Sequence, residues 1–296
     1  MYFATQFTAV LQRKPITLRD NVRSLVLDLL FAKEALIGYK KQLQKPRVQM
    51  LYFHHIFEDE EQKFRLLLQK LAKHHTFISH SEAVARIVNN EIDKPYISFS
   101  SDDGFKNNIK AAEILSEFGA SCCFFINPDL IGEKNFEIIK NHCNEKLDFP
   151  ATEMLNWNEV VQLQKMGHEI GSHTLNHKKV IDMTYDEMYE DLSKSKSDIE
   201  KYCGKIKHFA YPYGRFFHFN ALARKLTFNS GYLTCSSAER GCHINATEPQ
   251  RIEEILFRRD QIIVHWKWQH IFYFIINNAK KASVSNNKFP YTCLKL

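Results

Sequence analysis

The amino-acid sequence predicts an α/β fold, a distorted (β/α)7 TIM-like barrel with an N-terminal amphipathic helical extension. Strand-type segments alternate with helical segments from residue 48 onward, and polar residues follow the strands at their C-terminal ends. The extension is indicated by charge: positions 1–50 hold 9 Lys or Arg and 3 Asp or Glu, and 9 − 3 = 6 accounts for the whole net charge of +6. We expect three units, the basic extension at 1–46, the barrel at 47–280 and a polar tail at 281–296.

Composition narrows the class of protein. With 296 residues, 44% hydrophobic and 25% charged, the chain is typical of a soluble globular protein with a full core. No apolar run approaches the roughly 18 residues of a transmembrane segment, and no secretory signal is evident. Seven irregularly spaced cysteines favour a reducing compartment, so we expect a cytoplasmic protein. The neutral balance of residues 51–296 argues against a nucleic-acid partner.

The N-terminal extension has the pattern of one amphipathic helix between about Arg19 and Lys41. Its apolar positions are Val22, Leu25, Val26, Leu29, Leu30, Leu36 and Ile37. Two interpretations stay open for the apolar face. The helix packs on its own domain or on a second subunit, forming an oligomer, or it makes peripheral contact with an anionic membrane surface or an anionic substrate carrier.

In the rest of the chain, segments with the two-residue period of a strand alternate with segments that have the 3.6-residue period of a helix. Strands are expected at 48–54, 76–78, from 95, 121–126, up to 173, 207–211, around 232 and at 255–263. Helices are expected at 60–73, from 81, and at 107–117, 158–165, 185–203, 220–227 and 266–279, with an irregular segment between 127 and 155. About seven strands with crossover helices predict a parallel barrel.

The most informative stretch is residues 95–104, a strand that runs directly into Asp102 and Asp103. Two adjacent carboxylates at a strand end repel each other unless a cation or a tuned proton equilibrium offsets the repulsion. We therefore expect positive charge nearby. Taken alone, the segment also fits a plain turn that caps a helix beginning near Phe105.

A second stretch places His173 and His177 four residues apart just beyond a strand. Chance alone produces about 0.7 such pairs in a chain with this histidine content, so the spacing alone decides little. The context is more informative, because both this pair and the Asp pair follow strands and would reach the same face of a parallel barrel. Two histidines and one carboxylate form an open, catalytic type of zinc site.

A third stretch, residues 209–214, follows another predicted strand and turns sharply at Tyr211-Pro212-Tyr213-Gly214. Backbone N–H groups of such a turn can face a developing oxyanion.

The three stretches together resemble the polysaccharide deacetylase family, also called the NodB-homology group or carbohydrate esterase family 4, from about Leu51 to Arg259. The resemblance rests on the order Asp-Asp-Gly, Gly-Ser-His-Thr-x-x-His and Tyr-Pro-Tyr-Gly. It implies a metal-dependent deacetylase, a carbon–nitrogen hydrolase on a distorted (β/α) barrel that acts on acetylated sugars.

The resemblance also implies roles for individual residues, by position. Asp102 would be the general base, and the backbone N–H of Tyr213 would line the oxyanion hole. Asp103, His173 and His177 would hold a divalent metal, expected to be Zn²⁺. His54 and Pro212 would contact the substrate.

Two departures from the family pattern concern charge and proton transfer. Ala210 stands where the family has an arginine that pairs with the base, and we hypothesise that Arg258 or Arg259 supplies the missing charge. The family's late histidine has no clean match. His265 is the nearest candidate, and its surroundings favour an ordinary surface or core histidine.

The sequence therefore predicts an N-deacetylase of a sugar in surface polysaccharide or lipopolysaccharide biosynthesis. A cytoplasmic location, at or near the inner face of the membrane, favours a precursor carried on a nucleotide or a lipid. Two alternatives stay open: a metal-dependent amidase of the same fold that acts on a non-sugar amide, and a catalytically silent barrel that binds glycan.

Overall fold

The computed structural model describes residues 2–246 and 249–282, and the predicted tail beyond residue 282 lies outside them. All pairings between its strands are parallel. The strands are β1 Arg47–Phe53, β2 Thr76–Phe77, β3 Pro95–Asp103, β4 Cys122–Ile126, β5 Glu169–Ser172, β6 His208–Ala210, β7 Thr234–Ser237 and β8 Leu256–Gln261. They close in the order β1-β8-β7-β6-β5-β4-β3 and back to β1, which confirms the predicted seven-stranded barrel.

The barrel has seven strands because β2 does not take a place in the ring. It pairs only with the first half of β3, at Tyr96 and Ile97. From Phe99 onward, the neighbour of β3 on this side is β4. On the other side, the whole of β1 pairs with residues 95–101 of β3. The short β2 therefore lies beside the N-terminal half of β3. The seven-stranded pairing continues without it in the C-terminal half of the barrel, where polar residues collect.

Helices surround the barrel. They are α1 Thr8–Arg13, α2 Leu18–Ile37, α3 Lys40–Leu43, α4 Glu61–Ala72, α5 His80–Asn89, α6 Asn108–Glu117, α7 Phe136–His142, α8 Trp157–Lys165, α9 Tyr185–Cys203, α10 Ala221–Asn229 and α11 Trp268–Ala282. The long predicted helices are all present. The sequence analysis missed α1, α3 and α7, because helices of 6, 4 and 7 residues are too short for a 3.6-residue period to emerge.

Local chemistry explains where the helices begin and end. A capping box between Thr17 and Asp20 opens α2, and its left-handed C-cap, Gly38 with φ of 90°, ends the helix before the predicted Lys41. The same reciprocal pairing opens α9, between Thr184 and Glu187.

The core lies between the barrel and its helices. On α4, the residues at i, i+3, i+4 and i+7 are fully buried, namely Phe64, Leu67, Leu68 and Leu71. Truncating one of these leucines to alanine should cost about 2–5 kcal/mol of stability through the lost burial and the cavity left behind. Helix α2 packs along α11, so the N-terminal extension covers one side of the barrel.

Two composition-based expectations can be compared with the structure. The six cysteines among the described residues are all buried, and no disulfide joins them, whereas Cys293 lies outside the described part. Within the same residues, no helix combines the length and apolar character that crossing a bilayer requires.

Candidate active site

The three predicted stretches meet at the C-terminal end of the barrel. Asp102 and Asp103 are the last residues of β3, and His173 directly follows β5. The turn at Tyr213 follows β6. A cavity of about 430 Å³ opens there, and all the predicted site residues except Pro212 line it. His54 reaches it from the loop after β1, and His177 reaches it from the loop after β5. Parallel strands bring these segments together, as the sequence pattern indicated.

A possible metal site lies at the base of the cavity. The Asp103 carboxylate oxygen Oδ1 is 3.6 Å from His173 Nε2 and 3.5 Å from His177 Nε2, and all three side chains are buried. Among the described residues, no other group of three His, Cys, Asp or Glu side chains converges in this way. Asp103 Oδ1 is buried without a hydrogen-bond partner. A buried, orphaned acceptor faced by two imidazole nitrogens fits a divalent cation.

The backbone fixes the imidazole of His173. Its Nδ1–H donates to the carbonyl oxygen of Ala210 at 2.7 Å, so Nε2 presents its lone pair toward Asp103. Burial lowers the pKa of His173 to about 4 and the pKa of His177 well below its ordinary value. Both rings are therefore neutral at pH 7, which is the form that binds a metal.

The two adjacent carboxylates have different environments. Burial, followed by the charge of Asp102, raises the pKa of Asp103 well above its ordinary range. Burial acts on Asp102 in the same direction, but the charge of Arg259, together with His173 and the Arg259 hydrogen bonds, lowers the pKa of Asp102 overall. Asp102 is thus held ionised by the protein itself, whereas Asp103 is not.

Arg259 supplies the positive charge beside Asp102 that we expected from the sequence. Its Nη1 and Nη2 donate to the two oxygens of Asp102 at 2.7 and 2.9 Å. The guanidinium is buried between the rings of Tyr52 and Phe125, at 4.7 and 4.9 Å from their centroids. Of the two arginines in our hypothesis, Arg259 is therefore the one that pairs with the carboxylate.

Arg258 lies on the opposite face of β8, as the alternation of a strand requires. Its side chain lies against Gly241, and its backbone N–H donates to His243 at 3.1 Å.

The turn after β6 exposes a backbone donor. Tyr213 has φ of 63° and Gly214 φ of 60°, and a Cβ at position 214 would collide with Ala238. The Gly214 carbonyl accepts from Ala238 N at 2.9 Å and from the Tyr211 hydroxyl at 3.1 Å, which fixes the turn. Among the described residues, no protein group accepts a hydrogen bond from Tyr213 N–H.

The two predicted substrate contacts differ in position. His54 follows β1 and lines the cavity, and Gln261 Nε2 donates to its Nδ1 at 3.3 Å. Pro212 is buried inside the turn and is not among the cavity-lining residues. His265 lies outside the cavity and stacks on Phe7 with ring centroids 4.1 Å apart, as an ordinary packed histidine does.

Sequence reasoning missed one wall of the cavity. Lys146, Asp148 and Phe149 line it, and they belong to a segment that showed no period. Phe149 stacks on His55 with ring centroids 4.2 Å apart. His55 directly follows the predicted site residue His54, and this neighbouring ring is the one sequence signal that points to the wall.

Comparisons with known proteins indicate the family and the fold. Residues 89–234 match the family model described as polysaccharide deacetylase. A chitooligosaccharide deacetylase of Azorhizobium caulinodans is 32% identical over 136 residues, which cover 44% of this chain and 52% of that protein. The chain therefore spans about half the length of this curated relative.

Several solved structures share the fold. The deacetylase PplD of Streptococcus pyogenes, in complex with acetate, has a TM-score of 0.59 at 18% identity, covering 77% of this chain and 98% of its own. IcaB from Ammonifex degensii has a TM-score of 0.61 at 16% identity, covering 80% and 98%. A de-N-acetylase from Aggregatibacter actinomycetemcomitans has a TM-score of 0.60 at 17% identity, covering 77% and 99%.

Proposed function

Because residues 89–234 belong to the polysaccharide deacetylase family, as the order of motifs predicted, we propose that this chain is a metal-dependent N-deacetylase of an acetylated sugar. One observation carries the proposal. Of two adjacent buried carboxylates, Asp102 is paired with Arg259, whereas Asp103 faces two histidine nitrogens. That division supplies one ionised base and one metal ligand at the same strand end.

Asp103, His173 and His177 would hold the metal, and two imidazoles with one carboxylate favour Zn²⁺. When bound, such a cation polarises the amide carbonyl and lowers the pKa of its water toward about 7. These three ligands leave positions open on the cavity side.

Asp102 accepts the proton of the attacking water on its carboxylate. Arg259 holds that carboxylate in one orientation with two hydrogen bonds and keeps it ionised at neutral pH. The Tyr213 backbone N–H then donates to the oxyanion that forms from the amide carbonyl. A donor fixed by a rigid turn needs no reorganisation during the reaction, which is why such groups stabilise transition states well.

A proton must also reach the leaving amine, and Asp102 can return to it the proton that it took from the water. His54 lines the cavity, accepts at Nδ1 from Gln261 and carries its own proton on Nε2, so we assign this Nε2–H as a hydrogen-bond donor to the leaving nitrogen. His265 lies outside the cavity. Cleavage of the carbon–nitrogen bond then releases acetate and the free amino sugar.

The cavity walls suit a saccharide. A volume of about 430 Å³ holds a small ligand, and the rings of Phe149 and Tyr213 offer apolar surfaces for sugar faces. Lys146 brings a cation to the same wall, held by the carbonyl oxygen of Asn176 at 2.6 Å. A cationic wall favours a sugar that carries an anionic group, such as the phosphate of a nucleotide- or lipid-linked precursor in surface polysaccharide biosynthesis.

The test is release of acetate from N-acetylated oligosaccharides by the purified chain. We expect release that stops after chelation and returns with added zinc, and that is absent in His173→Ala but present in His265→Ala. Hydrolysis of cyclic ureides without acetate release would favour the non-sugar amidase instead. Stoichiometric zinc without hydrolysis of either class would favour the silent barrel.

A further inference from the structure

The amphipathic helix α2 has two different apolar faces. One face packs on α11, where Leu27 is buried. On this side Asp28 accepts from Lys267 at 2.6 Å and Glu34 accepts from Lys280 at 2.6 Å. The contacts of this face are therefore satisfied by the barrel.

The other face is apolar and exposed. Its large residues recur at intervals of 4, 3, 4 and 7 positions, which places them in one stripe along the helix. They are Leu18, Val22, Leu25, Leu29 and Leu36, and between 53% and 89% of each is exposed. Such a continuous apolar stripe on a surface is typical of an interaction site.

Positive charge accompanies the stripe. Arg19 and Lys33 lie beside it on the helix, and Arg23, which is also exposed, extends over the ring of Trp266 at 4.9 Å from its centroid. No ion pair joins these three side chains to a carboxylate within the described residues. The carboxylates of α2 are engaged elsewhere, since Asp20 caps the helix and the other two face α11. The exposed side of α2 is thus apolar with a cationic flank.

We propose that this exposed side of α2 binds the surface of an anionic lipid bilayer. The apolar stripe would enter the boundary between headgroups and acyl chains, and the three cations would meet lipid phosphates. A second copy of the chain is the less suitable occupant. Two copies paired along this stripe would bring together flanks of the same charge, without carboxylates beside the stripe to offset the repulsion.

This placement brings the catalytic cavity close to the lipid. Helix α1, which directly precedes α2, reaches the cavity wall through Arg13, whose side chain donates to Phe149 O at 3.0 Å and to Asp148 at 3.1 Å. The N-terminal end of α2 therefore lies on the side of the barrel where the cavity opens. The lipid proposal itself does not depend on the proposed deacetylase function.

The experiment is co-sedimentation of the full chain with vesicles of phosphatidylcholine alone and of phosphatidylcholine mixed with phosphatidylglycerol. We expect binding at least about tenfold stronger to the mixed vesicles, weakened by salt. The double variant Leu25→Glu, Leu29→Glu and the triple variant Arg19→Gln, Arg23→Gln, Lys33→Gln should each lose about tenfold or more. Because these positions are exposed, unchanged melting temperatures should show that the variants fold.

Matched controls lie elsewhere on the surface. Leu233→Glu replaces another exposed leucine, and Lys134→Gln, Lys165→Gln, Lys225→Gln removes the same charge from exposed positions outside α2. Both controls should bind vesicles as the wild type does. Equal binding to the two vesicle types, or normal binding by Leu25→Glu, Leu29→Glu, would overturn the proposal. A wild-type dimer that this variant makes monomeric, without vesicle binding in either, would assign the stripe to a second copy instead.

Discussion

Each end of the barrel carries a carboxylate close to two histidines, buried in Asp103 and half-buried in Glu169, and the two carboxylates differ in how their hydrogen bonds are satisfied. At the C-terminal end, Asp103 Oδ1 has no hydrogen-bond partner and faces the Nε2 atoms of His173 and His177. At the N-terminal end, Glu169 lies near His80 and His208. Residue types alone do not separate a candidate metal site from a structural network.

In the N-terminal cluster, which we call the closed cluster, protein groups engage Glu169 and His208. Glu169 accepts from Ser81 N at 3.1 Å and from Ser81 Oγ at 3.0 Å. Both nitrogens of His208 are engaged, one with Ser81 Oγ and the other with Thr234 Oγ1, each at 2.8 Å. A carboxylate and an imidazole that are already engaged in hydrogen bonds have few free lone pairs with which to bind a cation. Within the described residues, both ring nitrogens of His80 lack a hydrogen-bond partner, so the two ends are distinguished by the carboxylate, which is saturated in Glu169 and orphaned in Asp103.

The largest expected effect tests the C-terminal cluster of Asp103, His173 and His177, which we call the open cluster. Asp103→Asn removes the charged ligand, and with it both carbonyl polarisation and water activation, so deacetylation should fall roughly a thousandfold or more. In metal-free protein the variant should melt no lower than the wild type, because it also removes repulsion between two buried carboxylates. A stable Asp103→Asn enzyme with near-normal acetate release would contradict the assignment.

The next effect concerns the donor that His54 offers at the reacting centre. His54→Gln should lower kcat roughly a hundredfold and leave KM nearly unchanged, because the fixed imidazole Nε2–H is lost while the cavity is kept. Steady-state kinetics on an N-acetylated oligosaccharide measures both constants. His265→Gln is the control and should behave as the wild type; equal loss in both variants would point to a shared structural effect.

Arg259→Met should lower kcat by roughly a hundredfold, since Asp102 would lose its orientation and its charge partner. The free energy of unfolding should also fall by about 3–5 kcal/mol, because a buried carboxylate is left unpaired. Chemical denaturation and kinetics measure the two effects. Arg258→Met, on the opposite face of β8, should leave kcat unchanged. Normal activity in Arg259→Met would remove this arginine from the mechanism.

The smallest effect on activity is expected in the closed cluster at the N-terminal end of the barrel. Glu169→Gln should leave the rate of acetate release within about twofold of the wild-type rate. Its effect should appear in stability. Burial alone would raise the pKa of Glu169, but hydrogen bonds from His208 and Ser81 and the charge of His80 lower it to about 2.

The direction of the pH dependence follows from this lowered pKa. The ionised carboxylate stabilises the fold fully above about pH 4.5, its ordinary pKa, and this stabilisation is lost as pH falls toward 2. Between pH 7 and pH 3 the wild type should therefore lose more unfolding free energy, measured by denaturation, than Glu169→Gln does, because other carboxylates contribute equally to both proteins. Parallel losses in both proteins would show that Glu169 does not carry this stabilisation.

The sequence predicted the residues of the open cluster because each of its motifs is local and follows a strand. Asp102-Asp103 and the His173–His177 pair could be read within a few residues, and parallel strands then had to bring them together. The order of motifs added the resemblance to a family, and the model of that family matches residues 89–234.

The sequence could not predict contacts that depend on how the barrel closes. The partner of Asp102 is 157 residues away, and only the register between β8 and β1 decides that Arg259, rather than Arg258, points inward. The closed cluster joins Ser81 to residues 88 and 127 positions away. The cavity wall at 146–149 is irregular, and no periodicity marks such a segment.

The central claim is that the open cluster binds a metal and the closed cluster does not. The most direct measurement is elemental analysis of bound metal in protein purified without chelator and dialysed against zinc, for the wild type, Asp103→Asn and Glu169→Gln. We predict about one zinc per chain in the wild type and in Glu169→Gln, and almost none in Asp103→Asn. Equal zinc in all three proteins, or none in the wild type, would contradict the account.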